Sequence, residues 1–329
     1  MTIVVTGAAG HLGNNLVRLL CAQGAAVRAL DCTRDWRSLA GLPIERVEVD
    51  VRDPAVLAEA LAGADVVYHT AAVISLSRRE WPLVHAVNVA GVRNLLAACR
   101  AAGVRRLVHF SSIHAYEQEP LHLPVDEERP LVSSPRLPPY DRSKAAGERE
   151  VRRAVEQGLD AVILNPTGMI GPYDYRPSFF GEVLLALGRG RLPVFVASGF
   201  DWVDVRDVAA AAIRAAASAP SGSRYLLSGH WVTMRQLSLL LQEITGRPAP
   251  RVFCPLWLAQ VAAACYGACS AMPLAARGRP LLTSVSLQAL HGNRRISHQR
   301  AARDLGYAPR PLRETLADTL EWFASHKQG

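Results

Sequence analysis

Tyr140 and Lys144 stand four residues apart in the stretch Tyr-Asp-Arg-Ser-Lys, and together they could carry out proton transfer. On a helix, side chains with this spacing lie on one face. A free tyrosine, with a pKa of about 10, is a poor acid or base at neutral pH. A nearby ammonium group favours the phenolate, so we expect Lys144 to lower the pKa of Tyr140. Because an exposed tyrosine–lysine pair would look the same, the meaning of the pair depends on the elements around it.

A glycine-rich stretch near the start of the chain, Thr-Gly-Ala-Ala-Gly-His-Leu-Gly, predicts a dinucleotide-binding turn. It follows the apolar run Ile3–Val5 and precedes a helical run of leucines, which is the strand–turn–helix context of such a turn. The first glycine allows the tight turn, the second lets the backbone approach a pyrophosphate, and the third lets the helix pack close to the sheet. The amides at the start of the helix then face the phosphate charge. The predicted phosphate-binding residues are Gly7, Gly10, His11, Leu12 and Gly13.

Asp31 follows the second predicted strand, at a position where a carboxylate can accept hydrogen bonds from the adenosine ribose. The same charge repels a 2′-phosphate, so the sequence favours NAD over NADP. Two alternatives stay open. Arg34 and Arg37 lie close enough in sequence to accommodate a phosphate, and a strand-end aspartate can instead cap the following turn.

Short apolar runs alternate with helical patterns through the first half of the chain. The runs are rich in valine and apolar throughout, which is typical of strands that helices cover on both faces. The spacers are long enough for crossover helices, so we predict an α/β fold with a doubly wound parallel (Rossmann) sheet. The predicted strands are Ile3–Val5, Ala26–Leu30, Val47–Val49, Val66–His69, Leu107–Phe110 and Ala161–Leu164.

The second half predicts a smaller substrate lobe that is interleaved with the dinucleotide-binding domain. We assign residues 1–171 and a returning segment of about 193–230 to the NAD-binding domain, and residues 172–192 and 231–329 to the lobe. A capping box opens one of the predicted helices. The predicted elements are a strand at Val194–Ala197, a helix at Val205–Ala217, a strand at Arg224–Leu227, a helix from Thr233 and Gln236 to about Ile244, and an amphipathic helix from Pro311 to about His326.

Composition narrows the class of protein. The 329 residues carry a formal net charge of +8, but the arginines are scattered, so we expect a small-molecule substrate and no nucleic acid. The six cysteines show no Cys-x-x-Cys spacing, which predicts reduced thiols and no metal site. Met1 leads into a strand pattern without a basic leader, so we expect a cytoplasmic protein.

One apolar segment, Phe253–Ala275, is almost uncharged. Pro255 and Pro273 leave about 17 residues between them, which is the lower limit for a membrane-spanning helix. We expect a buried or substrate-covering helix here, with weak peripheral membrane contact as the alternative.

Together, the motifs resemble the extended short-chain dehydrogenase/reductase family, also called the NAD-dependent epimerase/dehydratase family. The glycine turn, the stretch Asn88-Val89-x-Gly91, the pair Ser111-Ser112 and the Tyr140–Lys144 pair follow the family's order over about the first 210 residues. Further cofactor-binding residues that the resemblance implies are Asp50 and Val51 at the adenine edge, Thr70, Ala71 and Ala72 in the turn after the fourth strand, and Asn165 and Pro166 at the end of the sixth strand.

The resemblance also implies roles at the reacting centre. Tyr140 would exchange the hydroxyl proton of the substrate and Lys144 would hold the nicotinamide ribose, while hydride moves between nicotinamide and a carbinol carbon. Ser112 lies just past the fifth predicted strand, where ligands bind in such sheets, and its hydroxyl would hydrogen-bond the substrate oxygen. Ser111 is the alternative. A homodimer packed through the helices that contain Asn88 and Tyr140 is expected on the same ground.

Two departures from the family pattern bear on the reaction. Ile113 and His114 stand where the dehydratases have an Asp-Glu pair, so elimination of water is disfavoured. Phe200 stands where nucleotide-sugar epimerases have an arginine for the diphosphate, although Arg191 or Arg206 could replace it. The remaining resemblance is to the 3β-hydroxysteroid dehydrogenase and dihydroflavonol-reductase-like branch, which implies a bulky, rather apolar alcohol or ketone.

Three functions stay open on the sequence. They are a dehydrogenase or ketoreductase for a bulky secondary alcohol, a sugar or nucleotide-sugar epimerase, and a cofactor-binding regulatory protein without turnover. Net NADH production distinguishes the first from the second, since an epimerase returns its hydride. The side chains expected to face the substrate are His114, Tyr173, Tyr175, Phe179 and Phe200.

Overall fold

A computed structural model describes residues 1–75, 77–189, 194–249, 252–255, 258 and 292–326 of the chain. Its centre is a seven-stranded, entirely parallel sheet with the order β10-β6-β5-β4-β1-β2-β3. The strands are β1 (Thr2–Thr6), β2 (Ala26–Asp31), β3 (Glu45–Glu48), β4 (Val66–His69), β5 (Arg106–Phe110), β6 (Ala161–Pro166) and β10 (Arg224–Leu227). The predicted doubly wound parallel sheet is confirmed. The order reverses between β1 and β4, which opens a crevice at the carboxyl edge where such sheets bind ligands.

Helices cover both faces of this sheet. On one face α1 (His11–Ala22) and α7 (Val205–Ser218) pack against the strands. On the other face, a second core cluster is formed by α2 (Pro54–Ala60), α4 (Gly91–Ala101) and α5 (Pro139–Glu156). α3 (Trp81–His85) continues through a π-helical turn at Ala86–Ala90 into α4. This double coverage explains why the strands are apolar throughout rather than alternating.

Local sequence explains where several helices begin. Asp53 caps α2, because its carboxylate accepts hydrogen bonds from the amides of Ala55 and Val56, and a proline follows at the first helical position. Thr233 and Gln236 form the predicted capping box at the start of α8 (Met234–Thr245).

A second, smaller lobe is built around a three-stranded sheet. Its central strand β9 (Gly199–Asp204) runs parallel to β7 (Gly168–Ile170) and antiparallel to β11 (His230–Thr233). A separate pair joins β8 (Val194–Val196) to β12 (Val252–Cys254). The helices of this lobe are α6 (Phe179–Gly188), α8 and α10 (Leu312–Ser325), which share one core cluster with the sheet. α9 (Gln299–Leu305) packs against α7 and β10.

The sequence pattern does not predict β7, β9 or β11. All six residues of β9 are buried, Asp201 and Asp204 included, so this strand shows neither alternation nor a purely apolar run. The elements that were predicted elsewhere in the second half are confirmed with ends that move by one or two residues.

The apolar segment Phe253–Ala275 is only partly within the described residues. Phe253 and Cys254 belong to β12 rather than to a helix, while residues 256–257 and 259–275 lie outside the described part. Across the described ranges, no helix combines the length and the apolar character needed to cross a bilayer. Over the same ranges, no three His, Cys, Asp or Glu side chains are grouped so that they could hold a metal ion.

Candidate active site

The glycine turn after β1 is held against the end of β4. Gly7 has a φ of +67°, and a Cβ atom at this position would lie 2.7 Å from the backbone of Ala71. At Gly13 a Cβ atom would overlap the carbonyl oxygen of Gly7. Only glycine therefore fits at these two positions, as the sequence predicted. Thr70 closes the arrangement, because its hydroxyl donates to the carbonyl of Thr6 at 2.7 Å.

The start of α1 is open toward the crevice. Gly10 precedes the helix without any side-chain cap, and a Cβ atom there would meet only the carbonyl oxygen of Gly7, at 3.2 Å. The Asn14 side chain fixes the turn from behind by donating to the carbonyl of Gly10 at 2.7 Å. The amides at the start of α1 are uncapped, and the space beside Gly10 stays open because glycine has no side chain. Such an arrangement is suited to binding a diphosphate. This part of the chain therefore fits a dinucleotide.

Asp31, the last residue of β2, is tied to the glycine turn. Its carboxylate accepts hydrogen bonds from the amides of Ala9, at 2.9 Å, and Thr33, at 3.1 Å. Asp31 therefore caps the next turn, as one alternative from the sequence predicted. It also presents its carboxylate at the carboxyl edge of the sheet, where the predicted ribose contact would form. An ionised carboxylate has further lone pairs for ribose hydroxyls.

The arginines that could have favoured NADP are engaged with acidic partners. Arg34 bonds Glu48 at 3.0 Å, and Arg37 bonds Asp35 at 2.8 Å. A 2′-phosphate at the end of β2 would be repelled by Asp31, while Arg34 and Arg37 are already paired with carboxylates. This arrangement favours NAD.

The residues implied at the adenine edge lie at the end of β3. Asp50 is ion-paired with Arg52, and this hydrogen-bonded guanidinium lowers the pKa of Asp50. Val51 is buried against Gly91, where a Cβ atom would lie 2.7 Å from the valine side chain. On β4, the turn with Ala71 and Ala72 follows the last strand residue, so these implied residues share the same edge of the sheet.

The proton-transfer pair lies on α5 as the sequence predicted. Lys144 is buried, its ammonium lies 5.9 Å from the centre of the Tyr140 ring, and it donates to the carbonyl of Phe110 at 2.9 Å. Ser112 follows β5 and accepts a hydrogen bond from the amide of His114 at 3.2 Å. Tyr140, Lys144 and Ser112 are thereby brought together at the end of β5.

The effect of Lys144 on the pKa of Tyr140 stays a prediction, because burial dominates that pKa among the protein's own groups. Burial raises the pKa of Tyr140 to about 12; the Ser112 side chain lowers it and Asp141 raises it further. Burial likewise lowers the pKa of Lys144 to about 8, against the opposing charge of Glu148. The i, i+4 spacing places the two groups side by side but does not reveal how strongly both are desolvated.

Asn165 connects the end of β6 to the loop after β5. Its amide donates to the carbonyl of Ser112 at 3.3 Å and to the carboxylate of Glu148 at 2.7 Å, and Pro166 then ends the strand. Sequence reasoning missed Glu148, although it stands one further helical turn after Lys144 on the same face. Ser111 is the alternative to Ser112. Its buried hydroxyl has no hydrogen-bond partner among the described residues.

A cavity of about 390 Å³ opens beside the loop after β5; its described lining includes Asp141, the sequence neighbour of Tyr140, but not Tyr140 itself. His114 and Phe200 line it, as expected. The His114 ring lies 5.9 Å from the Tyr140 ring and 6.2 Å from the Phe200 ring, and its Nδ1 is 3.5 Å from the Asp141 carboxylate. Burial raises the pKa of Asp141, and His114 partly offsets this.

Three of the expected substrate residues do not line this cavity. Tyr173 and Tyr175 stack near Trp322 and beside the Arg18 guanidinium, which lies 4.3 Å from the centre of the Tyr173 ring. Phe179 starts α6 with 43% of its surface exposed. Tyr173 and Tyr175 thus pack the lobe against α1.

The cavity wall is acidic, which sequence reasoning did not anticipate. Of the described residues that line it, four carry carboxylates and one, Arg136, carries a guanidinium. The carboxylates belong to Glu117, Glu119, Asp141 and Asp201. Asp201 accepts a hydrogen bond from Thr167 at 2.6 Å, and its burial raises its pKa. These residues come from α5, β9 and the loop after β5, and no local motif links them.

The two arginines that could have replaced the epimerase arginine differ in position. Arg206 is held by ion pairs to Asp204 and Asp318, both at 2.7 Å, and does not line the cavity. Arg191 lies outside the described residues. Within the described wall, Arg136 is thus the one cation that a diphosphate would meet.

Comparisons with known proteins agree with this site. The model of the NAD dependent epimerase/dehydratase family matches residues 3–227. Sterol demethylase protein B of Methylococcus capsulatus is 38% identical over 98% of both chains. A putative dihydroflavonol 4-reductase of Synechocystis is 33% identical, covering 98% of this chain and 94% of its own. The crystal structure of gox2253 superposes with a TM-score of 0.86 at 31% identity, covering 99% of this chain and 98% of that one.

Proposed function

This chain belongs to the NAD-dependent epimerase/dehydratase family, and we propose that it interconverts a bulky, uncharged secondary alcohol and its ketone, with Tyr140 as the acid/base. The observation that carries the proposal is the cavity lined by Asp141, the sequence neighbour of Tyr140; its described wall holds four carboxylates, one guanidinium and the Phe200 ring. Its relatives include proteins named for sterol and dihydroflavonol chemistry, and both compound classes are uncharged and polycyclic.

The cofactor is NAD, in keeping with the family and with the residues that fit it. Gly7, Gly10 and Gly13 would hold its pyrophosphate, and Asp31 its adenosine ribose. When bound, NAD supplies the two-electron acceptor that takes the hydride from the carbinol carbon.

The protein's own groups handle the proton and the oxygen. In the oxidation, the O–H bond of the alcohol breaks and the proton passes to the Tyr140 oxygen as the C–H bond breaks. Ser112 donates to the same substrate oxygen and orients it. Lys144 supplies a positive charge near Tyr140, and this charge favours the phenolate form of Tyr140 that accepts the proton. The reverse reduction uses the same groups with Tyr140 as the acid.

Electrostatics argues against a nucleotide sugar. The diphosphate of such a substrate would enter a wall that carries more carboxylates than cations, and like charges at close range in a partly desolvated cavity repel strongly. The ionised forms of Asp141 and Asp201 repel a phosphate. An uncharged alcohol can instead donate hydrogen bonds to these carboxylates and stack on Phe200.

Calorimetric titration of the NAD-saturated protein tests this proposal. We expect heat of binding for an uncharged 3β-hydroxysteroid such as pregnenolone or for a dihydroflavonol, and none for UDP-glucose. Phe200→Leu should weaken binding of the uncharged probe about 10-fold, because a ring that lines the cavity is lost.

The matched control is Phe179→Leu, the same change at a phenylalanine outside the cavity wall, and it should alter affinity less than twofold. Tight binding of UDP-glucose, or equal effects of the two substitutions, would contradict the proposed substrate class.

A further inference from the structure

Glu148 is a fully buried acidic side chain directly below the catalytic residues. It stands on α5 one helical turn after Lys144 and has no exposed surface. Burial of a carboxylate is costly unless partners satisfy it. The proton-transfer step described above does not involve Glu148, so that step does not explain why a carboxylate is buried at this position.

The partners of Glu148 connect two parts of the site. One carboxylate oxygen is ion-paired with Arg152 and accepts from the Tyr116 hydroxyl at 3.4 Å. The other accepts from the Asn165 amide at 2.7 Å, and the same amide donates to the carbonyl of Ser112 at 3.3 Å. One buried carboxylate is thus bonded to the loop that carries Ser112 and lies on the helix that carries Lys144.

The surroundings of Lys144 show what that carboxylate contributes. The Lys144 ammonium donates to the Phe110 carbonyl, an uncharged acceptor. The charge of Lys144 also acts on His69 and His109, two buried rings that stack 5.4 Å apart. Burial and the Lys144 charge lower the pKa of both histidines, that of His69 to about 3, so both rings are neutral. Glu148 is the carboxylate whose charge opposes the desolvation of Lys144.

We propose that Glu148 is a positioning residue that keeps Lys144 charged and, through Asn165, holds Ser112 in place. The titratable groups around this pair are Arg152 on α5, the Tyr140 and Tyr116 hydroxyls, and the two neutral histidines on β4 and β5. Arg152, with 32% of its side chain exposed, forms an ion pair with Glu148 from the solvent side. The proposal rests on the roles that the proposed function gives to Lys144 and Ser112.

The sequence offers an unusually direct test, because Lys144 and Lys327 are its two lysines. In a Lys327→Arg background, lysine labelled with ¹³C at Cε gives a single signal from Lys144. Its shift against pH reports the Lys144 titration without any substrate. We expect a midpoint near pH 8 in this background. Glu148→Gln should lower that midpoint by about one pH unit, because a nearby negative charge is removed from a desolvated ammonium.

Glu150→Gln is the matched control. Glu150 lies on the same helix and pairs with Arg93 and Arg153 at the surface, so the same substitution should leave the Lys144 midpoint unchanged. A midpoint in Glu148→Gln within about 0.3 pH unit of the parent would overturn the proposal. If Glu148→Gln does not fold, Arg152→Gln is measured instead.

Arg152→Gln should raise the Lys144 midpoint, because it removes a positive charge beside the pair. An unchanged or lower Lys144 midpoint in this variant would contradict the proposal.

Activity supplies a second readout. The alkaline limb of the kcat profile for alcohol oxidation should move to lower pH with the Lys144 midpoint, while KM for NAD stays within threefold below pH 7. A purely structural role would change stability without moving the limb. If no probe alcohol is turned over, the proposed function fails but the ¹³C titration still decides the role of Glu148.

Discussion

Tyr140→Phe should reduce the turnover of an alcohol substrate at least about 1,000-fold and leave NAD binding within a few-fold of the parent protein. The change removes only a hydroxyl group. Without it, no group at the described end of α5 takes the proton of the alcohol at the position that Tyr140 occupies, and Ser112 loses the partner that passes the proton on. The ring still fills its place beside His114.

The measurement combines NADH absorbance for turnover with tryptophan fluorescence for NAD affinity. Tyr225→Phe is the control, because its hydroxyl bonds Asp304 on the far side of the sheet and should not affect turnover by more than twofold. Turnover of Tyr140→Phe within about tenfold of the parent would remove Tyr140 from the mechanism.

Alanine at Gly10 and at Gly13 should weaken NAD binding for two different reasons. At Gly13 the new methyl group overlaps the Gly7 carbonyl oxygen and lies 2.8 Å from the Ala8 Cα, so backbone must move. We expect a loss of about 3 kcal/mol in the free energy of unfolding. At Gly10 the methyl group meets only the Gly7 oxygen, so stability should change by less than about 1 kcal/mol.

The affinity of Gly10→Ala for NAD should nevertheless fall about 100-fold, since the methyl group occupies the space that the pyrophosphate needs. Urea denaturation and NAD titration separate the two effects. Gly24→Ala is the control: Gly24 has a φ of +75° and open space around it, so backbone strain alone should leave NAD binding intact. Parent-like NAD affinity in Gly10→Ala would refute the assigned pyrophosphate position.

The sequence predicts the parts of this protein that depend on short-range patterns. The strand–glycine–helix unit, the parallel strands and the Tyr140–Lys144 helix all follow from spacing within a few residues. Buried strands of valine and a helix with an i, i+4 pair leave few alternatives.

What the sequence does not predict depends on contacts between distant segments. The acidic cavity wall joins Asp141 on α5 to Asp201 on β9, and the link from Glu148 to Ser112 passes through Asn165 on β6. Tyr173 and Tyr175 were expected at the substrate but pack near Trp322, because aromatic residues serve a lobe core as readily as a ligand. The raised pKa of Tyr140 reflects burial, which spacing does not encode.

The central claim is net hydride transfer from an uncharged bulky alcohol to NAD, and one single-turnover experiment addresses it most directly. The protein is mixed with stoichiometric NAD and either pregnenolone or UDP-glucose, and absorbance at 340 nm is followed while the products are separated. The account predicts one NADH for each steroid alcohol oxidised to its ketone, and no reaction with UDP-glucose. Conversion of UDP-glucose to UDP-galactose without accumulation of NADH would contradict it and identify an epimerase.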